Sequence, residues 1–283
     1  MALPNFVYIG PDKAGSTWIF DVMSWHPEVY MASAKDICFF DLHFDKGPKW
    51  YERHFKEATD ERILGEVSHN YLFSEAAAQR MKTTLPEEVV LMVCLREPAQ
   101  RAFSAYLYLL KHGLFAGSFE AALKDVPELI DHGRYATHLK KYLHRYQREN
   151  LYITCFNDLR ADPDVFSRNM FARLGITEFQ IPSTLRKKSL PASKSRSVIV
   201  SRILKQGAIW ARKLGFVRLI GAVKHSDLIK RLLYKPYKPE EKPQPNSNTL
   251  RKLKRHFYKE VMELDRMLGS EFLKRWGYTN LDS

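Results

Sequence analysis

At 283 residues the chain is long enough for one large domain or two small ones, with a sizeable buried core. Its composition, 45% hydrophobic and 27% charged, is that of a soluble globular protein and excludes a chain dominated by glycine or proline. The 45 basic residues against 32 acidic ones leave a formal charge of +13, which favours an anionic partner: a nucleotide, a nucleic acid, a polyanionic sugar or a membrane surface.

The start, MALPNFVYIG, runs directly into an apolar strand at Phe6 to Ile9, without the basic segment and long apolar run of a signal peptide. No apolar run approaches the roughly 20 residues of a membrane span, and a cytoplasmic location is expected. GPDKAGST, Gly10 to Thr17, follows, and WIFDVMSWH then shows helical apolar spacing. A loop joining a strand to a helix start suits a phosphate group, because first-turn N–H groups and the positive dipole end face it. Gly10 and Gly15 have the spacing of the nucleotide loop G-x-x-x-x-G-K-[ST]. Ser16, however, stands at the lysine position, and the nearby lysine, Lys13, lies inside the loop.

VVLMVCL, Val89 to Leu95, is continuously apolar, as strands buried on both faces of a parallel sheet are. It leads into REPAQRAFSAYLYLLK, where Pro98 sits near a helix start and its missing N–H costs little. LYITCF, Leu151 to Phe156, is a third strand, and Asp162-Pro163 opens an amphipathic helix closed at Gly175. This alternation predicts an α/β fold, a mainly parallel sheet flanked by helices, with ligands beyond the strand C-termini.

After about Pro182 the character changes. TLRKKSLPASKSRS is basic and serine-rich, and residues 198–234 are apolar and basic in helical register. KPYKPEEKPQPNSN is a proline-punctuated linker, and LRKLKRHFYKEVMELDRMLG reads as a last helix. A single domain over 1–283 is expected, with an α/β cofactor-binding core at 1–182 and a basic loop and C-terminal helices at 183–283. The basic stretch 198–234 packs on the core, builds an acceptor cleft, or touches an anionic membrane surface. Cys38, Cys94 and Cys155 show no metal-ligand spacing and suit a reducing compartment.

Two of these strand–turn–helix units carry anion-binding residues. Gly10 to Thr17 offers backbone N–H groups, Lys13, Ser16 and Thr17. Arg96 ends the second strand, placed to grip another phosphate as a planar bidentate donor, and Ser104 lies in the helix that follows. Either feature alone is weak; together they suit a ligand with phosphates at both ends.

The segments resemble the PAPS-dependent sulfotransferases, nearest to the heparan-sulfate-type, carbohydrate branch. VYIGPDKAGSTWIFDVM is similar to that family's 5'-phosphosulfate loop, and LREPAQRAFSAY to its 3'-phosphate motif, through Arg96, Pro98, Arg101, Ser104 and Tyr106. AKDICFFD, Ala34 to Asp41, resembles the K-E-x-x-F-F-D segment with Asp36 in place of glutamate; GRYATHLKKYL resembles G-x-Y-x-x-x-L. The resemblance implies a P-loop-like sulfotransferase fold that moves a sulfuryl group from PAPS to an acceptor hydroxyl. It implies cofactor contacts at Lys13, Ala14, Gly15, Ser16, Thr17, Trp18, Arg96 and Ser104. Tyr135 would line the acceptor or nucleotide pocket, and Arg134 would add a phosphate contact. Lys194, Ser195, Arg196 and Ser197 would belong to a loop closing over the 3'-phosphate end. Phe39 and Phe40 read as packing.

Within that resemblance the displaced lysine has a purpose. Lys13 can approach the bridging oxygen between phosphate and sulfur, where charge develops as the sulfuryl group leaves. Lys35 is a second cation for the transferring sulfate. Sulfuryl transfer needs less charge neutralisation than phosphoryl transfer, so no metal is called for. Glu66, in ILGEVSHNYLF, falls where the branch carries its catalytic glutamate, with Val67 replacing the usual lysine. It is the first candidate for general base and His69 the second. The branch's disulfide has no counterpart after Cys155, which points to an intracellular, bacterial version. The acceptor class stays open among a carbohydrate, a glycolipid and a secondary metabolite. A P-loop kinase or NTPase and a basic nucleic-acid binder are the rival readings. The first lacks its loop lysine and a Walker-B aspartate; the second lacks any recognised module.

Overall fold

A computed structural model describes residues 3–186 and 243–279, together with the backbone of 193–195 and 234–236. The chain forms two compact units that interleave in sequence, Met1–Arg96 with Thr137–Lys188, and Glu97–Ala136 with Ser189–Ser283. The units do not part at residue 182.

In chain order the elements begin with β1 (Phe6–Gly10), α1 (Ser16–Trp25), β2 (Val29–Met31), α2 (Phe39–Leu42), α3 (Pro48–Glu52), β3 (Ile63–Val67), α4 (Glu75–Thr84) and β4 (Val90–Leu95). They continue with α5 (Pro98–Lys111), α6 (Phe119–Asp125), α7 (Glu128–Asp131), α8 (Tyr135–Leu143), β5 (Leu151–Cys155), α9 (Phe156–Ala161), α10 (Pro163–Leu174) and α11 (Ser183–Arg186). The last are β6 (Ser193–Ser195), β7 (Tyr234–Pro236), α12 (Ser247–Leu268) and α13 (Phe272–Arg275).

The first unit is built on a parallel five-stranded sheet in the order β2-β3-β1-β4-β5. β1 is its middle strand, and the side chains of Phe6 to Ile9 are wholly buried, which is why its sequence is continuously apolar. The expected strands at β1, β4 and β5 are present. β2 is only three residues, VYM, too short to carry a readable period. Trp18, Ile19, Val22 and Met23 on α1 join Phe166, Met170 and Phe171 on α10 in one core cluster. Strand order reverses between β1 and β4, so their C-terminal ends open the crevice where α/β sheets bind ligands.

The second unit holds α5, α6, α7 and the C-terminal helices. α5 starts with Pro98 at its first turn, and Glu97 caps it by accepting from the N–H groups of Ala99 and Gln100. The same buried carboxylate accepts from the Tyr278 hydroxyl at 2.6 Å. α12 is capped by Asn246 and closes on the left-handed Gly269, at the Gly that ended the sequence pattern. β6 and β7 pair antiparallel. Among the described residues no helix is long and apolar enough to cross a membrane. Residues 198–233 and Arg196 lie outside the described residues, as do the side chains of Lys194 and Ser195.

Candidate active site

The loop after β1 is held from three directions. The Tyr8 hydroxyl donates to the Pro11 carbonyl at 2.8 Å, and Arg96 Nη1 donates to the Lys13 carbonyl at 2.9 Å. Lys35 Nζ donates to Ser16 Oγ at 3.1 Å and to Thr17 Oγ1 at 2.9 Å. Lys13 itself lies in the left-handed region, with φ of 63°. Two glycines make this path available. A Cβ on Gly10 would sit 2.5 Å from the His69 carbonyl oxygen, and Gly15, at φ of 92°, would meet Leu159 at 2.5 Å. Gly15 gives α1 no side-chain cap, so its first-turn N–H groups stay available for an anion beside Ser16 and Thr17.

Arg96 extends from the end of β4, its guanidinium 4.9 Å above the Phe156 ring. It therefore serves the loop backbone as well as any ligand. The two strand–turn–helix units are not equivalent: α1 begins uncapped, whereas Glu97 occupies the first amides of α5. The second anion site expected from sequence thus has Arg96 and no free helix terminus.

Several expected site residues are placed elsewhere. The Trp18 side chain is buried against Phe166 and its Nε1 donates to the Leu185 carbonyl, so any ligand contact at Trp18, as at buried Ala14, is through the backbone N–H. Tyr135 is 1% exposed and packs beside Trp276. Arg134, about half exposed, lies 3.8 Å from an Asp131 carboxylate oxygen and 3.6 Å from a Glu260 one. Arg101 is buried and donates to the carbonyls of Glu128 and Leu129, and the Tyr106 hydroxyl donates to the Gly117 carbonyl. Those two motif residues are structural. Phe39 and Phe40 are wholly buried, as expected, in an aromatic cluster with Tyr51. Ser104 lies on α5, in the second unit.

Glu66 is wholly buried on β3. Its Oε1 accepts from the Ser68 hydroxyl at 2.6 Å and from the Tyr71 hydroxyl at 2.7 Å, and its Oε2 from the Tyr51 hydroxyl. Burial pushes its pKa up to about 6, although the three hydroxyls favour the charged form. His69 is different: its side chain is 29% exposed, and Nδ1 lies 2.6 Å from Asp36 Oδ1. The backbone N–H of Asp36 donates to the Val67 carbonyl at 2.7 Å, and that of Cys38 to Ser68 Oγ at 3.2 Å. The segment bearing Lys35 is thereby docked along the end of β3. Tyr51, Asp36 and Phe156 were not foreseen as partners of Glu66, His69 and Arg96. Only Tyr71 had a signal, its place five residues after Glu66 in the same motif.

The model of the sulfotransferase domain family matches residues 3–218. The chain is 29% identical over 155 residues to the membrane-associated sulfotransferase kil1 of Dictyostelium discoideum, 50% of this chain and 33% of that one. It is 31% identical over 201 residues to the bifunctional heparan sulfate N-deacetylase/N-sulfotransferase 2 of Bos taurus, 62% of this chain and 22% of that one. The matches thus span a third or less of these curated relatives. The crystal structure of a sulfotransferase from Alicyclobacillus acidocaldarius shares the fold, with a TM-score of 0.68 at 23% identity over 96% of this chain and 98% of that one. With the family model matched over residues 3–218, most of its length, the chain belongs to the sulfotransferases.

Proposed function

We propose that the protein transfers a sulfuryl group from PAPS to a hydroxyl of a carbohydrate, glycolipid or small-molecule acceptor, leaving adenosine 3',5'-bisphosphate. The observation that carries this reading is the Lys35 ammonium set on the hydroxyls of Ser16 and Thr17 at the uncapped start of α1. That donor set fits a phosphosulfate: N–H groups and hydroxyls for the 5'-phosphate, and Lys35 with Lys13 for the oxygens around sulfur. PAPS, when bound, supplies the activated sulfuryl group. The protein's part is to hold it in line with the acceptor and to offset the charge that gathers on the bridging oxygen. Arg96, bonded to the Lys13 carbonyl and lying over the Phe156 ring, grips the 3'-phosphate; Ser104 keeps its assignment to that phosphate on sequence grounds. Lys194, Ser195 and Arg196 keep their assignment to a loop over that phosphate on sequence grounds. The base that takes the acceptor proton comes from β3 or the segment just after it, where Glu66 and His69 are the two candidates.

Relatives named for heparan sulfate N-sulfotransfer favour a carbohydrate acceptor, with an amine as the alternative to the hydroxyl. Thermal shift with adenosine 3',5'-bisphosphate tests the cofactor assignment. Binding at a hundred times Kd stabilises by about 2.7 kcal/mol, whereas ATP with Mg²⁺ is expected to give less. Stabilisation by ATP with Mg²⁺ alone would overturn the reading in favour of a kinase or NTPase. Labelled PAPS presented with a panel of saccharides, glycolipids and phenols then identifies the acceptor.

A further inference from the structure

We infer that the outward face of α12 is a docking surface for an anionic lipid bilayer, with Arg251, Lys252 and Lys259 meeting the headgroups and Tyr258 and Met262 entering between them. The inference goes beyond the sulfotransferase reading and stands independently of it.

The charges of α12 run against its own dipole. An α-helix is stabilised by acidic side chains near its N-terminus and basic ones near its C-terminus. In SNTLRKLKRHFYKEVMELDRML the order is reversed. The first turn holds no acidic residue; Arg251, Lys252, Lys254, Arg255 and Lys259 precede every carboxylate, and Glu260, Glu263 and Asp265 follow. Arg251, Arg255 and Lys259 also stand one helical turn apart in succession, the spacing at which like charges repel. This order costs the folded chain stability, and a breach of a local rule without an internal gain marks a surface kept for something else.

The carboxylates have partners within the second unit. Glu260 faces Arg134 at 3.6 Å, Glu263 pairs with Arg266, and Asp265 accepts from the N–H groups of Phe272 and Leu273 at the start of α13. Lys254 is likewise used by the fold, donating to the carbonyls of Trp276 and Gly277. Arg251, Lys252 and Lys259 are exposed and form no ion pair among the described residues.

The helix turns these groups the same way. Leu253, Phe257, Val261 and Leu264 form its buried stripe. At 3.6 residues per turn, Arg251, Lys252, Lys259 and Met262 fall on the opposite side, over about 17 Å of its length. Tyr258, one turn before Met262, lies along the edge of that side. Tyr258 is 40% and Met262 48% exposed, two large apolar side chains left uncovered beside the cations. A soluble polyanion would engage the cations and leave Met262 in water. A bilayer with anionic headgroups engages both, because its interface takes apolar side chains just below a layer of negative charge.

Cosedimentation of the full chain with vesicles tests this. Wild type should bind phosphatidylcholine vesicles carrying about 30% phosphatidylserine at least about tenfold better than phosphatidylcholine alone. Each cation near such a surface is worth about fivefold, so Arg251→Gln/Lys252→Gln/Lys259→Gln should lower binding about 100-fold. The same charge removed from the first unit, by Lys49→Gln/Lys56→Gln/Lys82→Gln, should lower it less than about threefold. Tyr258→Ser/Met262→Ser should lower it about tenfold without any change of charge. Because its three cations oppose the dipole, the α12 triple variant should unfold in urea at the wild-type midpoint or above it. Equal losses in the two triple variants would mean diffuse attraction to a chain of charge +13 and would overturn the proposal. So would an α12 triple variant that binds as wild type does, or one with a lowered urea midpoint, which would give the cations a role in the fold. Tight binding to heparin or RNA without binding to the vesicles would assign the face to a soluble polyanion instead.

Discussion

Replacing Glu66 by glutamine isolates the energetics of a carboxyl buried at the end of β3. Desolvation raises its pKa from 4.5 to about 6, so the folded protein holds the proton more tightly than the unfolded chain does. The resulting stabilisation is fully present below about pH 4.5 and is lost as pH rises through about 6. A shift of that size corresponds to about 2 kcal/mol. Glutamine does not titrate, and its amide offers fewer acceptor sites to the hydroxyls of Tyr51, Ser68 and Tyr71. The stability difference, wild type minus Glu66→Gln, should therefore be about 2 kcal/mol more favourable to wild type at pH 4.5 than at pH 7.5. Urea unfolding followed by tryptophan fluorescence and circular dichroism at several pH values measures it. Other titrating groups act equally in both proteins and cancel. A difference that is constant with pH, or that grows toward neutral pH, would refute the reasoning.

His54 should behave in the opposite sense. It is buried beside Trp50, and its Nε2 has no hydrogen-bond partner among the described residues. Burial, with the charges of Arg53 and Lys46, pushes its pKa down from 6.5 to about 4. The unfolded chain takes the proton first, so the protein loses stability as pH falls from about 6.5 toward 4. His54→Phe should recover about 2 kcal/mol at pH 5 and little at pH 7.5, by urea unfolding. Arg96→Lys should weaken adenosine 3',5'-bisphosphate by about 10- to 100-fold in calorimetry, because a point charge replaces both the planar fork and the bond to the Lys13 carbonyl. Tyr278→Phe should cost about 1.5–3 kcal/mol in unfolding, since the buried Glu97 carboxylate loses a hydroxyl donor; a loss below about 0.5 kcal/mol would contradict that.

Much of the loop after β1 and of the strands beside it is legible in the sequence, and the residue types explain why. GPDKAGST needs its glycines for backbone conformation and close approach, and VVLMVCL needs uninterrupted apolar residues because a parallel strand is buried on both faces. The helix starts at Asp162-Pro163 and Glu97-Pro98 and the stops at Gly175 and Gly269 are also local chemistry. Residues of one motif take different places in the structure. Arg96 and Arg101 stand five positions apart in one motif. Yet Arg96 reaches the phosphate loop, whereas Arg101 is spent on two carbonyls of the segment before α8. Tyr135 and Trp18 are similar cases, since a large aromatic near a motif gives no indication of which side of the backbone it will face.

By itself the sequence determined the strand–loop–helix unit, the apolar strands and the position of Arg96 at the end of one of them, because each depends on neighbouring residues and their periodicity. Only the tertiary structure decided which polar groups meet. Tyr51 reaches Glu66 across 15 residues, Lys35 reaches Ser16 across 19, His69 reaches Asp36 from another strand's end, and Tyr278 reaches Glu97 across 181. Burial is set by everything packed around a group, and it is the packing around β3 that encloses Glu66 completely while leaving part of the His69 side chain exposed.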